Sequence, residues 1–185
     1  MKEIMKVHGP SGHIVGVRQV DSLNFDNRPK DVEPEVIIIR SISLPPGQYG
    51  GTEVEDLFCN RLDCRAHPYF HDLESLRVSA HFLIRRDGEI IQFISLNKRA
   101  WHAGVSVCLG RENVNDFSIG IELEGCDEDI FEDSQYESLN ALIRLLLEHF
   151  PEIGYDKIFG HSDIAPDRKT DPGPNFVWSR IREAG

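Results

Sequence analysis

The sequence is short of positive charge. Its 185 residues include 20 Lys and Arg against 31 Asp and Glu, which gives a formal net charge of -11 at pH 7. A surface of this charge repels phosphate backbones and anionic lipid unless basic residues cluster locally, and the sequence contains no such cluster. We therefore expect neither nucleic acid nor a membrane as a partner.

Long apolar runs and paired cysteine motifs are also missing. No stretch approaches the roughly 20 apolar residues of a membrane span, and residues 1–19 lack the apolar run of a secretory signal, so we expect a cytoplasmic protein. The four cysteines have no C-x-x-C spacing, which disfavours a structural zinc site and predicts reduced thiols. They are Cys59, Cys64, Cys108 and Cys126.

The length fits one domain, predicted to span residues 1–185. Residues 1–34 are polar and irregular, which predicts an arm packed on the domain with room for one short strand. Residues 35–40 form a β-branched run typical of a strand buried on both faces. Thr52 and Glu55 have the spacing of a capping box, which predicts a short helix through about residue 61.

Two further stretches alternate between apolar and polar residues, as half-buried strands do. They are residues 78–86, followed by an Asp87-Gly88 hairpin turn that returns the chain over 89–94, and residues 116–124. This alternation places His81 and Glu122 on polar strand faces, where they would line a cleft over the sheet.

The C-terminal part is predicted to contain two helices, with a strand and a loop between them. Ser134 and Glu137 form a second capping-box pattern, which predicts a long helix to about Phe150. A strand at 157–160 and a short helix from about residue 176 follow. Together these elements predict an α+β or mixed α/β fold, with a central mixed β-sheet flanked by helices.

A polar loop at residues 160–174 has the clearest chemical potential. Its three prolines and two glycines keep it from forming a helix or strand. His161 and Asp171 offer the ligand types that a catalytic zinc accepts, and Lys169 could stabilise a developing oxyanion. From composition alone, a solvated polar loop with a satisfied histidine explains these residues equally well.

Several long motifs stand in a fixed order along the chain. They are SISLPPGQYGG (41–51), RVSAHFLIRRDGEI (77–90), KRAWHAG (98–104), NDFSIGIELEG (115–125) and the loop 160–174. In that order and spacing, residues 14–182 closely resemble the N-acetylmuramoyl-L-alanine amidases, and in particular the cytoplasmic anhydro-muramyl-L-alanine amidases of bacterial cell-wall recycling. The wider family includes phage amidases and peptidoglycan-recognition proteins.

The resemblance implies a monomeric, zinc-dependent enzyme that cleaves the lactyl–L-alanine amide of anhydro-muropeptides. It implies that His161 and Asp171 bind the metal, that Lys169 stabilises the tetrahedral oxyanion, and that Glu122 takes or relays the proton of the attacking water. Read alone, Glu122 could equally be a surface strand carboxylate.

Arg40 departs from the family pattern. The position at the end of the first buried strand holds the family's first zinc histidine, and a guanidinium has no free lone pair to offer a metal. Three interpretations remain open: a crippled zinc enzyme, a weak zinc site with residual activity, or a binding-only relative in which Arg40 pairs with Asp171 or a substrate carboxylate. Replacement of the missing ligand by His81 or His102 is a remote alternative.

The resemblance also implies residues that bind the substrate. Trp101 and His102 would flank the sugar, although Trp101 could instead be a core aromatic. Arg77 and Arg168 would clamp stem-peptide carboxylates, although either could be an ordinary surface charge. A further pair, His67 and His71, has a spacing that suits a metal on a helix, but the adjacent Pro68 weakens that reading.

Overall fold

The fold is built on a six-stranded sheet, seen in a computed structural model that describes residues 5–181. Residues 1–4, part of the predicted arm, and residues 182–185 lie outside the described residues. The strands are β1 (Lys6–His8), β2 (His13–Val15), β3 (Arg18–Gln19), β4 (Phe25–Asn27), β5 (Val36–Ile42), β6 (Phe82–Ile84), β7 (Ile90–Gln92), β8 (Lys98–Ala100), β9 (Val107–Cys108), β10 (Arg111–Glu112), β11 (Ser118–Glu124) and β12 (Ile158–Gly160).

The helices are few and most are short. The α-helices are α1 (Glu53–Phe58), α2 (Asp133–His149) and α3 (His161–Ile164). Turns of 3-10 helix lie at Pro68–Leu73, Val114–Phe117, Tyr155–Lys157 and Trp178–Arg180. Between residues 5 and 181, no helix combines the length and hydropathy needed to cross a membrane.

The main sheet has the strand order β12-β5-β11-β6-β7-β3. Neighbouring strands are parallel, except that β6 and β7 form an antiparallel hairpin. The small pairs β1–β2, β4–β8 and β9–β10 lie outside it. The predicted α+β class and mixed central sheet are confirmed.

Both faces of the sheet are covered, as the apolar run of β5 predicted. One face packs Ile37, Ile39, Ile119 and Ile121 against the apolar stripe of α2. On the other face, Ile38 packs with Phe117 and Ile164, and Leu83 packs with α1. Side chains near the carboxyl end of β5 therefore lie in a region that other parts of the protein enclose on several sides.

The Asp87-Gly88 turn is confirmed, but the strand before it is shorter than predicted. Gly88 has a φ of +85, and the Arg85 amide donates to the Glu89 carbonyl at 2.9 Å. Only Phe82–Ile84 of the predicted strand is regular, and each of its residues is buried. The alternation was misleading because α1 covers the face that was predicted to be polar.

The predicted caps are wrong in detail. Helix α2 is capped by Glu132, whose amide donates to Gln135 Oε1 at 3.0 Å, while the Ser134 hydroxyl donates to the Arg86 carbonyl. Thr52 precedes α1, but its hydroxyl donates to the Asp56 carboxylate at 2.8 Å instead of capping the helix.

Both ends of the described chain also differ from prediction. The described part of the arm, residues 5–34, contains four short strands, β1 to β4, where one was expected, since each finds a partner in a hairpin or at a sheet edge. Up to residue 181, the predicted C-terminal helix is a single 3-10 turn at Trp178–Arg180.

Candidate active site

Three adjacent parallel strands end at one edge of the sheet and bring their polar residues together there. Arg40 on β5 is in register with Glu122 on β11. On the other side of β5, β12 ends at Gly160, so His161 follows at the same edge. The carboxyl ends of parallel strands are the usual place for ligand sites in such sheets.

Asp171 reaches this edge because its loop folds back onto α3. The Ser162 amide donates to the Asp171 carbonyl at 2.9 Å. Both carboxylate oxygens of Asp171 then lie 3.1 Å from His161 Nδ1. The loop therefore pairs the two side chains that the sequence selected as metal ligands.

The Arg40 guanidinium lies in the middle of this cluster. Its Nε donates to His161 Nδ1 at 3.1 Å and lies 3.5 Å from Asp171 Oδ2. Its Nη1 lies 2.9 Å from Glu122 Oε1. The predicted pairing of Arg40 with Asp171 is present, and we call these four residues the Arg40 centre.

The contacts of His161 fix its tautomer. Its Nε2 lies 3.1 Å from the Ala103 carbonyl oxygen, which can only accept a hydrogen bond, so Nε2 carries the proton. Burial lowers the pKa of His161 despite the adjacent Asp171 carboxylate, so the ring is neutral near pH 7. Its Nδ1 lone pair is then directed at the Arg40 N–H.

Glu122 is a buried carboxylate. It is 0% exposed, and within residues 5–181 neither of its oxygens has a hydrogen-bonding partner, since the close Arg40 Nη1 is not aligned to donate. Burial raises the pKa of Glu122 to about 7, although the charges of Arg40 and Lys169 oppose the shift. A carboxyl that titrates near neutral pH suits proton transfer, and its reading as a surface carboxylate is wrong.

Lys169 and Asp171 complete the electrostatics. Burial alone would raise the pKa of Asp171, but the neighbouring His161 ring and the positive charges of Arg40 and Lys169 lower it. Lys169 is half-buried, and its charge acts on both Asp171 and Glu122. It is therefore close enough to act on negative charge that develops at the centre.

Comparison with known proteins gives a consistent family. The sequence model of the N-acetylmuramoyl-L-alanine amidase family (Amidase_2) matches residues 36–174. The chain belongs to this amidase family. The 1,6-anhydro-N-acetylmuramyl-L-alanine amidase AmpD of Escherichia coli (strain K12) is 54% identical over 171 residues, which cover 92% of this chain and 93% of that protein. AmpD of Haemophilus influenzae is 50% identical over 169 residues, covering 91% and 92%.

Solved structures agree with this assignment. The crystal structure of a Se-Met AmpD derivative matches with a TM-score of 0.91 and 51% identity, over 93% of this chain and 96% of that one. A complex of E. coli AmiD with anhydro-N-acetylmuramic acid-L-Ala-D-gamma-Glu-L-Lys matches at a TM-score of 0.58 and 27% identity, over 84% of this chain and 59% of that chain. The resemblance inferred from the motifs is confirmed.

The donor set of this amidase-family chain does not fit a catalytic zinc. His161 and Asp171 offer two ligands where three protein ligands are usual. Arg40, at the third position, is a cation without a lone pair, and its Nε lies against both of those donors. Among residues 5–181, no group of three or more His, Cys, Asp and Glu residues is arranged to hold a metal.

Two histidines considered as substitutes are buried beneath the site. His81 is 0% exposed, and its Nδ1 accepts from the Gly120 amide at 3.1 Å. His102 is 3% exposed and shares a hydrogen bond of 3.0 Å with Ser118. The predicted cleft position of His81 is wrong, and the burial of His102 does not support its direct contact with a sugar.

Gly120 gave a signal of this arrangement that the sequence reading missed. A Cβ at Gly120 would lie 2.5 Å from Cγ of the His102 ring, so only glycine admits that ring against β11. A glycine inside a strand often marks such a close approach. The Ala103 carbonyl, which orients His161, was also missed, since a backbone group has no sequence signal.

The remaining substrate candidates have different surroundings. Arg168 donates to the carbonyls of Ala103 and Val105 at 2.7 and 2.8 Å, so it holds the loop that orients His161. Trp101 is half-buried, and its backbone amide donates to the Ser79 hydroxyl at 3.1 Å. Arg77 is exposed and lines a cavity of about 460 Å³ that shares no lining residue with the Arg40 centre. Their substrate contacts remain predictions.

The other metal hypothesis concerned His67 and His71, and the structure explains the role of His67. His67 caps the 3-10 turn at Pro68–Leu73, where its Nδ1 accepts from the Tyr69 amide at 3.1 Å. This contact gives His67 a structural role.

Proposed function

We propose that this chain is an anhydro-muropeptide amidase of cell-wall recycling, which hydrolyses the amide between the lactyl group and L-alanine. The observation that carries the proposal is the 54% identity with E. coli AmpD over 92% of the chain. The matched region covers nearly the whole length of both proteins.

The described residues suit two requirements of amide hydrolysis. Water must lose a proton as it attacks the carbonyl, and Glu122, with its pKa raised to about 7 by burial, can accept one near neutral pH. The carbonyl oxygen becomes negative in the tetrahedral intermediate, and Lys169 supplies a positive charge. Arg168 acts through the Ala103–Val105 loop and positions His161.

A second candidate is a protein that binds anhydro-muropeptides without cleaving them. The contacts of Arg40 favour this candidate, because its guanidinium occupies the centre and contacts Glu122 at 2.9 Å and His161 at 3.1 Å. Those are two of the residues that would otherwise serve the reaction.

One experiment separates the two candidates. Wild-type protein and Glu122→Gln are incubated with anhydro-muramyl tripeptide, release of free tripeptide is followed by mass spectrometry, and binding is measured by calorimetry. Release that depends on Glu122 supports the amidase, whereas binding without release supports the second candidate. Neither binding nor release would contradict both. Arg144→Gln is the control, since that side chain is exposed on α2.

The proposal also covers the localisation, oligomeric state and partners of the protein. We expect it to act in the cytoplasm as a monomer on a small-molecule substrate. The net charge of -11 disfavours nucleic acid and anionic membranes as partners.

A further inference from the structure

The Arg40 centre gathers groups that require a cation. The Asp171 carboxylate, the Glu122 carboxylate and the Nδ1 lone pair of His161 all face Arg40, and each of these three residues is buried. Buried negative groups are strongly destabilising unless a positive charge compensates them. In this chain the compensating charge comes from the protein itself.

We propose that the Arg40 guanidinium takes the place of a metal ion at this site, so that the chain binds anhydro-muropeptides without zinc. The proposal rests on the proposed function for the identity of the ligand. The claim about the cation rests only on the contacts of Arg40.

A metal would have to displace Arg40. The Arg40 side chain is 14% exposed, and its Nε already engages the two candidate donors, His161 and Asp171. Displacement would remove its contacts with both carboxylates and leave the metal two protein ligands instead of three. The guanidinium charge would also repel the incoming ion. These effects all oppose metal binding.

Arg40 also retains capacity to bind a ligand. A guanidinium has five N–H donors; its Nε faces His161 and Asp171, and its Nη1 faces Glu122. Within residues 5–181, Arg40 Nη2 has no hydrogen-bonding partner. This atom is accessible to solvent. An acceptor oxygen of a muropeptide, from a carbonyl or a carboxylate, can bind there beside Lys169.

The first test measures metal without using activity. Wild type and Arg40→His are purified without chelator, and their zinc content and melting temperatures with zinc and with EDTA are compared. We expect wild type to hold far less than stoichiometric zinc and to melt at the same temperature in both conditions. Arg40→His, which supplies a third donor, should hold about one zinc per chain and melt higher with zinc. About one zinc per wild-type chain, lost in His161→Ala, would overturn the proposal.

The second test measures binding of anhydro-muramyl tripeptide by calorimetry. Wild type should bind equally well with and without EDTA, Arg40→Gln should bind about tenfold more weakly or worse, and Arg40→Lys should recover part of the loss. Arg144→Gln is the matched control. Equal affinity of Arg40→Gln and wild type would contradict the role of Arg40 as the binding cation.

Folding and the identity of the ligand are controlled separately. Circular dichroism shows whether Arg40→Gln folds. If it does not, the double variant Arg40→Gln/Glu122→Gln, which removes both charges of the pair, is compared with wild type instead. If no variant binds the tripeptide, the proposed function fails. The zinc contents of wild type and Arg40→His still decide whether Arg40 replaces the metal.

Discussion

Glu55 and Glu122 are both buried glutamates that face arginine, yet their pKa values move in opposite directions. Burial raises the pKa of each. At Glu55, hydrogen bonds from Arg18 and Arg85 outweigh burial and lower the pKa overall. At Glu122, the charge of Arg40 opposes burial only in part, and the pKa rises to about 7.

The difference lies in the alignment of the donors. Arg18 and Arg85 both donate to the Glu55 carboxylate, Arg18 Nη1 at 3.1 Å. Glu122 Oε1 lies 2.9 Å from Arg40 Nη1, but no residue in the described part of the chain forms a hydrogen bond with either Glu122 oxygen. A hydrogen bond to a charged group contributes about 1.5–3 kcal/mol. The comparison indicates that Glu55 stabilises the fold, whereas the carboxylate oxygens of Glu122 remain available to accept a proton or to bind a ligand.

The largest expected effect is at Glu55. Glu55→Gln should lower the free energy of unfolding by about 3 kcal/mol at pH 7, because it leaves two arginines short of a partner. The pKa of Glu55 is lowered in the folded state, so its contribution is present above its ordinary value of 4.5 and is lost as the pH falls. Urea unfolding of wild type and Glu55→Gln at pH 7 and at pH 3 measures both effects. If the substitution lowered the free energy of unfolding equally at the two pH values, the charge of Glu55 would not be the cause.

Glu122 should show the opposite pH dependence. Its pKa is raised from 4.5 to about 7 in the folded state, so the folded protein binds more protons in that range. The free energy of unfolding of the protein should therefore fall as the pH rises from 4.5 to about 7. Relative to Glu122→Gln, wild type should lose about 3 kcal/mol between pH 4.5 and 7. A difference that stays constant with pH, or that favours wild type as the pH rises, would contradict the contrast with Glu55.

The smallest effect should separate the two partners of Glu55. The Arg18 side chain is 41% exposed and the Arg85 side chain is 11% exposed. Arg18→Gln should cost about 0.5 kcal/mol, since water screens an exposed pair, and Arg85→Gln should cost clearly more. Thermal unfolding of the two variants in parallel tests the order, and equal losses would show that burial does not set the strength of these pairs.

The sequence predicts the backbone of this fold better than the surroundings of its side chains. The apolar run of β5, the Asp87-Gly88 turn and the stripe of α2 are local patterns with a direct physical cause, and the structure contains all three. Alternation along β11 places Glu122 on one face of the sheet, but what covers that face depends on loops far away in sequence. Glu122 was therefore predicted on an open cleft and is found buried.

The candidate site shows the same limit. His161, Asp171, Lys169 and Glu122 were identified from the sequence, largely through the family motifs, and the structure gathers them at one sheet edge. The ordinary chemistry of Arg40 predicted its pairing with Asp171. Its simultaneous contacts with His161 and Glu122 depend on the register of β5 with β11 and β12, which no local pattern reveals.

The most direct test of the account is a crystal structure of the wild-type protein grown in saturating zinc, with anomalous data collected at the zinc edge. The account predicts no anomalous peak between His161 and Asp171, and an Arg40 guanidinium in contact with His161, Asp171 and Glu122. A zinc peak bound by His161 and Asp171, with Arg40 turned away, would contradict the claim that arginine takes the place of the metal.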